Sequence, residues 1–220
     1  MYFKVSKKEF YNALSVASRA ISTFSPLPAF SGIKIDAKED CLILTGSDSD
    51  VSIQTKLTKS EECVLEIRDM GSIVIEAKYI LEIVRKIDAE EIEFEMIDGS
   101  LTKISGNTAE FRINGMRANE YPAIDFSKPK ECFALKEETL KKVILQTSFA
   151  TSDKETRPVL TGVNFHCEGN TLHCVATDSY RLAKKTIDIA EALNFNITIP
   201  AKSLSEVVKT LEGEGEVEIR

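Results

Sequence analysis

Residues 177–182, Thr-Asp-Ser-Tyr-Arg-Leu, have the side-chain types of a functional site placed at a turn. They follow a strand-like alternation and lead into the extended run 181–185, which predicts a corner between two strands. A corner can present side chains to solvent on a rigid backbone. Asp178 and Arg181 could form an acid–cation pair in a catalytic cleft. A structural ion pair is the commoner arrangement, in a β-turn where Asp178 accepts hydrogen bonds from nearby backbone N–H groups.

A second group of candidate ligands lies around a predicted hairpin turned by residues 168–170. His166 and His173, the only histidines of the chain, are expected to face each other across this hairpin, with Cys167 and Cys174 beside them. Alternate residues of a strand point to opposite faces, so the two cysteines point away from the histidines. A zinc site needs convergent ligands, and no Gly-rich phosphate loop follows a strand in this sequence. We therefore expect no metal site and no cofactor.

The composition predicts a soluble protein with one large core or two ordinary ones. The 220 residues are 43% hydrophobic, carry a net charge of −7, and include five cysteines, none of them in CxxC spacing. Such cysteines indicate neither a disulfide framework nor a zinc knuckle, so we expect buried free thiols in a reducing compartment. No apolar run is long enough to span a bilayer, and the first residues lack the apolar core of a signal peptide. We expect a cytoplasmic protein without a membrane partner.

Hydrophobic periodicity predicts helices beside antiparallel strands in the first half of the chain. Apolar stripes at 3.6-residue spacing predict one helix over 7–21 and another over 77–87. The polar, proline-bearing stretch 119–129 has the composition of an interdomain linker. Alternating apolar residues and turn dipeptides predict a hairpin over 31–47 and strands over 3–5, 51–57, 63–67, 73–76, 91–96, 100–105 and 109–113.

The chain then repeats itself at an offset of 130 residues, the distance from Phe3 to Phe133. After a short deletion the offset becomes 124 residues, the distance from Ala77 to Ala201, so helices over 136–149 and 201–211 match the first two. Further matches are Leu14 with Ile144, Pro28 with Pro158, Gly32 with Gly162, and Ser47-Asp48-Ser49 with Thr177-Asp178-Ser179. These matches indicate an internal duplication, with domains over 1–125 and 126–220. The second copy lacks the last strands of the first, so we expect it to be incomplete at its C-terminal end.

The predicted helices carry more Lys and Arg than Asp and Glu, although the whole chain is acidic. Several of these cations stand in a first helical turn, namely Lys7, Lys8, Lys78, Lys136 and Lys202. The helix dipole disfavours cations there by roughly 0.3–1 kcal/mol, so local stability does not explain them. They could form a basic face that lies along a phosphate backbone without reading sequence. The alternative is an ordinary solvated face, on which lysine stems cover apolar surface.

Four features of the sequence resemble the bacterial DNA polymerase III β subunit, or sliding clamp, family. They are the duplicated plan, the corner at 177–182, Arg-Pro-Val-Leu-Thr-Gly at 157–162 and Asn-Glu-Tyr-Pro at 119–122. The resemblance covers residues 1–220 and implies an α+β DNA-clamp fold, in which repeated domains each place two helices on one side of antiparallel sheets. It implies a non-catalytic processivity factor that, as a full-length homodimer, encircles double-stranded DNA independently of sequence. The third domain of that family is absent from these residues.

The same resemblance implies two kinds of site. One is a pocket for a short peptide motif of DNA polymerase III subunits, the clamp loader and other clamp-binding proteins, formed here by Leu160, Thr177, Ser179, Tyr180, Arg181 and Leu182, with the remainder contributed by downstream chain. The other is a DNA-facing set formed by Lys7, Lys78, Arg85, Lys141, Lys142, Lys154, Arg157 and Lys202. The loop 151–159 corresponds to one that touches DNA in the family. The matching loop of the first copy has Phe24 and Ser25 and no cation, which weakens that contact.

Three functions therefore remain open from the sequence. The first is a clamp that encircles DNA and recruits replication enzymes. The second is an interaction module that uses the pocket around Leu160 and Arg181 without touching DNA. The third is an enzyme, which would require that changing Asp178 or Arg181 abolishes a reaction.

We expect these 220 residues not to close a ring by themselves, because rings of this family join a first domain to a third domain between subunits. Light scattering is expected to give the mass of an open species. A stable closed dimer in the same measurement would contradict the expectation.

Overall fold

The computed structural model describes residues 1–22, 27–129 and 131–220. The chain divides into two compact units, Met1–Asp125 and Phe126–Arg220. The division falls within the proline-bearing stretch 119–129.

The first unit contains two helices and two antiparallel five-stranded sheets. The helices are α1 (Lys7–Ser18) and α2 (Ala77–Lys86). The strands are β1 (Tyr2–Ser6), β2 (Gly32–Ala37), β3 (Cys41–Ser47), β4 (Ser52–Thr58), β5 (Leu65–Asp69), β6 (Gly71–Glu76), β7 (Glu91–Asp98), β8 (Leu101–Gly106), β9 (Ala109–Asn114) and β10 (Met116–Arg117). One sheet has the order β5-β1-β7-β8-β9 and the other β10-β6-β2-β3-β4. Both helices and every strand expected in this half of the chain are therefore present, with shifted ends.

The core of the first unit forms where the apolar stripes of the helices meet the inner faces of the sheets. Phe3 stacks on Phe94 with ring centroids 4.7 Å apart and meets Phe10 of α1 edge to face at 5.8 Å. Such ring pairs add favourable quadrupole contacts to the burial of apolar area. α1 also lies directly on β3, because a Cβ atom at Gly46 would stand 2.1 Å from the carbonyl oxygen of Ala17. Only glycine permits this close approach of helix and strand.

The end of α1 differs from the prediction. The helix was expected to continue to residue 21 but ends at Ser18. The backbone N–H groups of Ala20 and Ile21 bond three residues back, to Ala17 and Ser18, rather than four. The last turn therefore tightens into 3₁₀ geometry, as helix ends commonly do.

The second unit contains two helices, α3 (Glu137–Thr147) and α4 (Ala201–Thr210). Its strands are β11 (Phe133–Lys136), β12 (Gly162–Thr177), β13 (Leu182–Pro200) and β14 (Glu216–Ile219). β11 pairs with β14 and β12 with β13, both antiparallel. Short 3₁₀ turns at Ser148–Ala150 and Pro158–Thr161 connect α3 to β12. The helix expected over 136–149 ends at Thr147, and residues 148–149 belong to the first of these turns.

The predicted hairpin at 168–170 lies inside the long strand β12. The rings of His166 and His173 are 6.4 Å apart, whereas seven residues of straight strand would separate them by about 23 Å. Gly169 has a φ of +62°, a left-handed conformation that glycine adopts without steric cost. β12 therefore reverses at this glycine, and its two arms pair with different parts of β13.

The internal duplication is visible in strand register and burial. β3 pairs with β4 from Cys41↔Thr58 to Ser47↔Ser52, and the second unit pairs Thr171↔Asp188 to Thr177↔Leu182, the same register displaced by 130 residues. Equivalent positions are buried in both units: Ile33 and Val163, Ile35 and Phe165, Leu42 and Leu172, Leu44 and Cys174. The two halves of the chain share one folding plan.

Replacing Phe94 by Ala is expected to destabilise the first unit by about 3–5 kcal/mol, because it removes a fully buried ring and leaves a cavity against Phe3. Urea unfolding followed by circular dichroism would measure the change. The matched control is Met70→Ala, because Met70 is 65% exposed. It is expected to shift stability by no more than about 0.5 kcal/mol. Equal effects of the two substitutions would contradict the assigned core.

Candidate functional site

The corner between β12 and β13 is closed by the carboxylate of Asp178. Its Oδ1 accepts hydrogen bonds from the backbone N–H groups of Tyr180 and Arg181, each at 3.0 Å. Its Oδ2 accepts a third bond from Nε of Arg181, also at 3.0 Å. One side chain thus satisfies two backbone donors and fixes the direction of the arginine that follows.

Thr177 completes the turn from its other side. Its hydroxyl donates to the carbonyl oxygen of Arg181 at 2.7 Å and accepts from the N–H of Ser179 at 3.2 Å. Ser179 has a φ of +78°, so a residue other than glycine is held in a left-handed conformation by these bonds. The turn leaves Tyr180 98% exposed and Leu182 66% exposed. The polar groups build the corner, and the large side chains remain available to a partner.

The first unit builds the same corner with different outer side chains. Oδ1 of Asp48 accepts from the N–H groups of Asp50 and Val51 at 3.0 and 2.8 Å. Ser49 has a φ of +85°, and its N–H donates to the hydroxyl of Ser47 at 3.3 Å. The turn is therefore a property of the repeated unit. Tyr180, Arg181 and Leu182 are what distinguish the second copy.

Two further apolar side chains of the second unit are exposed, and one of them contacts the corner. Val159 is 68% exposed and Phe149 is 57% exposed, and the guanidinium carbon of Arg181 lies 5.6 Å from the centroid of the Phe149 ring. Large apolar side chains gathered at a surface mark interaction sites. The sequence analysis did not include Phe149 in the pocket. The sequence does distinguish Phe149 from the first copy, which has Arg19 at the equivalent position.

Leu160 stands just before the first arm of β12, which begins at Gly162. It is half-buried in the turn Pro158–Thr161, and its carbonyl oxygen accepts from the N–H of Ser152 at 2.8 Å. Within the described residues, no hydrogen bond or ring contact joins Leu160 directly to the corner. The structure therefore gathers Thr177, Ser179, Tyr180, Arg181 and Leu182 in one turn. The place of Leu160 in the same pocket stays a prediction.

The predicted DNA-facing cations have different local environments. Nζ of Lys7 donates to the carbonyl oxygen of Ile87, the residue that caps the C-terminus of α2. A cation is favourable at a helix C-terminus, so Lys7 has a structural role within the fold. Lys142 pairs with Glu138 at 2.6 Å and Arg85 with Glu82 at 3.7 Å. Exposed pairs of this kind contribute little to stability and leave the cation accessible.

The remaining cations of that set are less engaged by the protein. Across residues 1–22, 27–129 and 131–220, Lys78, Lys141 and Lys202 form no ion pair with a carboxylate. Lys78 and Lys202 are exposed and Lys141 is half-buried. Lys154 and Arg157 are exposed in the loop before Pro158. Phe24 and Ser25, the corresponding residues of the first copy, lie outside the described residues.

An open groove of about 450 Å³ lies between α1 and α2. Its lining is Lys7, Lys8, Tyr11, Asn12, Arg85, Ala89 and Glu90. Three cations and one carboxylate give this groove a net positive lining. An anionic group such as a phosphate is the ligand that such a lining favours.

The part of the chain that the structure describes has no group of three His, Cys, Asp or Glu side chains placed to hold a metal ion. Cys167 and Cys174 are buried on the face opposite His166 and His173. Burial raises the pKa of Cys174 to about 12 and also raises that of Cys167. Thiolates are the form of cysteine that binds metals and attacks substrates, so neither cysteine is suited to these roles. None of the described helices is long and apolar enough to cross a membrane.

Comparison with known families identifies both units. The profile of the DNA polymerase III beta subunit, N-terminal domain, matches residues 1–125, and that of the central domain matches residues 134–220. The chain belongs to the DNA polymerase III beta subunit family. The resemblance given by the corner and the duplicated plan is thereby confirmed, and so is the α+β clamp fold.

Relatives in this family carry the name Beta sliding clamp. The protein from Halalkalibacterium halodurans is 40% identical over 223 residues, and that from Bacillus subtilis 39% identical over 221 residues. Each alignment covers 99% of this chain, but only 59% and 58% of the two relatives. The chain thus spans less than two thirds of the length of these relatives.

Solved structures of the family have the same fold. The DNA polymerase sliding clamp from Bacillus subtilis superposes with a TM-score of 0.96 at 37% identity, covering all of this chain and 59% of that one. The DNA polymerase III beta chain from Streptococcus pneumoniae gives 0.93 at 33% identity, covering 99% of this chain and 59% of that one. The duplicated units and their helices therefore follow the architecture of sliding clamps.

The backbone N–H groups of Arg181 and Tyr180, together with the Arg181 charge, lower the pKa of the Asp178 carboxyl. A carboxyl group whose pKa is lower in the folded state than in the unfolded state stabilises the fold at pH values above the unfolded pKa. This stabilisation is lost as the pH falls through the folded pKa. Asp178→Asn is therefore expected to unfold at lower urea concentration than the unsubstituted chain at neutral pH. The difference should shrink progressively below about pH 4.

The matched control for this titration is Asp153→Asn, which changes an exposed carboxylate outside the corner. At neutral pH its urea midpoint is expected to lie close to that of the unsubstituted chain, because the hydrogen bonds of the corner remain intact. A pH-independent deficit in Asp178→Asn would show that the ionised carboxylate does not stabilise the corner.

Proposed function

We propose that this chain is part of a sliding-clamp subunit, which encloses double-stranded DNA without reading its sequence and tethers replication enzymes to it. The observation that carries the proposal is the placement of cations on the helices of both units in a chain of net charge −7. Lys78 on α2, Lys141 on α3 and Lys202 on α4 have no ion-pair partner among the described residues. The names of the relatives support the same function.

A clamp holds DNA by enclosure, so its individual contacts with phosphates can be weak. Exposed lysines suit this role, because each contributes a screened, sequence-independent attraction that can be exchanged between phosphates. A few strong contacts would instead fix the protein at one position. Weak contacts from basic helices therefore reconcile an acidic protein with a DNA partner that it must slide along.

The chain covers 59% and 58% of the length of two relatives named Beta sliding clamp. We propose that residues 1–125 form one clamp domain and residues 126–220 most of a second. The full-length subunit would contain a further domain and close the ring as a homodimer in the cytoplasm. The proposed DNA-facing cations are Lys7, Lys78, Arg85, Lys141, Lys142, Lys154, Arg157 and Lys202. In this role the chain is a non-catalytic processivity factor.

The corner of the second unit is proposed to receive the partners. DNA polymerase III subunits, the clamp loader and other clamp-binding proteins would each insert a short peptide motif beside Thr177, Ser179, Tyr180, Arg181 and Leu182, with Leu160 as a further apolar wall. The exposure of Leu182 and Phe149 supports this use, because a partner would cover apolar surface that now faces water.

Replacing Lys78, Lys141 and Lys202 together by Gln is expected to weaken binding to duplex DNA. If each lysine neutralises one phosphate, the slope of log affinity against log salt should fall by about 2.7, because each phosphate accounts for roughly 0.9 of that slope. Fluorescence anisotropy of a labelled duplex, titrated at several salt concentrations beginning at low salt, would measure affinity and slope together.

The matched control replaces Lys38, Lys59 and Lys184 by Gln. These three lysines are exposed and lie outside the helices, so the control makes the same change in net charge. Its salt slope is expected to stay close to that of the unsubstituted chain. Equal decreases in both triple variants would indicate a response to net charge alone, and unchanged binding in the helix variant would favour an interaction module that does not touch DNA.

A further inference from the structure

The Arg181 side chain is held on two sides in a region that is otherwise open to solvent. Asp178 accepts a bond from its Nε at 3.0 Å, and its guanidinium lies over the ring of Phe149 at 5.6 Å. The face of an aromatic ring carries negative charge density and attracts a cation placed above it. Carboxylate and ring together limit the rotamers that this long side chain can adopt.

The first unit shows that this pair is not needed to form the corner. At the offset of 130 residues, Arg19 stands in place of Phe149, and Val51 in place of Arg181. The turn around Asp48 nevertheless has the same two backbone hydrogen bonds and the same left-handed residue. The contact between Phe149 and Arg181 is therefore an addition to the repeated fold rather than a condition of it.

The contact leaves the hydrogen-bonding end of Arg181 free. The side chain is 56% exposed, and only its Nε has an acceptor in the described residues, so both terminal nitrogens are available. Leu182, beside it, exposes an apolar surface. A guanidinium with two free terminal nitrogens can bind a carboxylate through paired hydrogen bonds, which a neutral amide cannot match.

We propose that Phe149 is a positioning residue that holds Arg181 for a carboxylate in a partner peptide, next to an apolar side chain bound at Leu182. The inference rests on the proposed function of the corner and names the chemistry of its partner. Arginine loses rotamer freedom when it binds, and a side chain that is already held loses less. The acidic chain repels an acidic peptide at long range, so preference for a carboxylate depends on this local contact.

The first measurement tests the position of Arg181 without a partner. In the NMR spectrum of the whole 220-residue chain, the Arg181 Nε–H proton is expected to show a ring-current shift. This shift should disappear in Phe149→Leu, which keeps an apolar side chain, and persist in Phe149→Tyr, which keeps the ring. An Arg181 signal that is unchanged in Phe149→Leu would overturn the inference.

The second measurement tests the partner chemistry by chemical-shift titration with two acetylated, amidated peptides, Ala-Leu-Glu-Leu-Ala and Ala-Leu-Gln-Leu-Ala. The unsubstituted chain is expected to bind the Glu peptide more tightly than the Gln peptide. Phe149→Leu should reduce this preference roughly two- to fivefold, and Phe149→Tyr should retain it. No binding of either peptide to the unsubstituted chain, or equal binding of both, would overturn the inference.

Arg181→Ala separates this inference from the proposed function. If it weakens binding of the Glu peptide while Phe149→Leu leaves the preference intact, the corner binds partners but Phe149 does not position the arginine. If Arg181→Ala changes the binding of neither peptide, the proposed use of the corner fails as well. Disappearance of the preference in both Arg181→Ala and Phe149→Leu, with retention in Phe149→Tyr, supports the inference.

Discussion

In each unit the exposed corner depends on one carboxylate that accepts hydrogen bonds from two backbone N–H groups. Asp48 does this in the first unit and Asp178 in the second. The bonds hold a serine in a left-handed conformation that would otherwise be unfavourable. They join neighbouring strands in one register, in which Ser47 pairs with Ser52 and Thr177 with Leu182. A side chain at this corner therefore has a defined direction, although it lies at the surface.

Duplication with divergence turns this common scaffold into two different surfaces. The first unit follows its corner aspartate with short or small side chains, whereas the second presents Tyr180, Arg181 and Leu182. The two units also differ in the residues that precede β2 and β12. Phe30 is buried against Tyr121 at 5.4 Å, and burial raises the pKa of that tyrosine to about 12. Its equivalent, Leu160, is only half-buried. One copy thus fills its apolar surface internally, and the other leaves it open.

The lysines of this chain differ in whether the fold itself engages their charge. Some lysines of the sheets have close carboxylate partners, as between Lys103 and Glu95 or between Lys4 and Glu91. Others in the strands, such as Lys56 and Lys184, form no ion pair within the described residues. Several helix lysines have none within the described ranges, although a first helical turn disfavours cations. Lys7 is engaged in another way, because the fold uses its ammonium group to cap α2. A basic helix residue is therefore not by itself evidence of an external partner, and each one must be judged by its contacts.

The sequence by itself determined the elements and their repetition. Helical stripes, the hairpin over 31–47 and the reversal at Gly169 follow from local periodicity and turn chemistry, which depend on residues close in the chain. The offset of 130 residues, and the shared corner, could likewise be read from residue types. Only the tertiary structure decided which carbonyl Lys7 bonds and that Phe149 lies beneath Arg181. Each of these depends on groups brought together from separate elements, and no local pattern encodes that proximity. Residue types set what a side chain can bind, whereas packing sets which partner it meets.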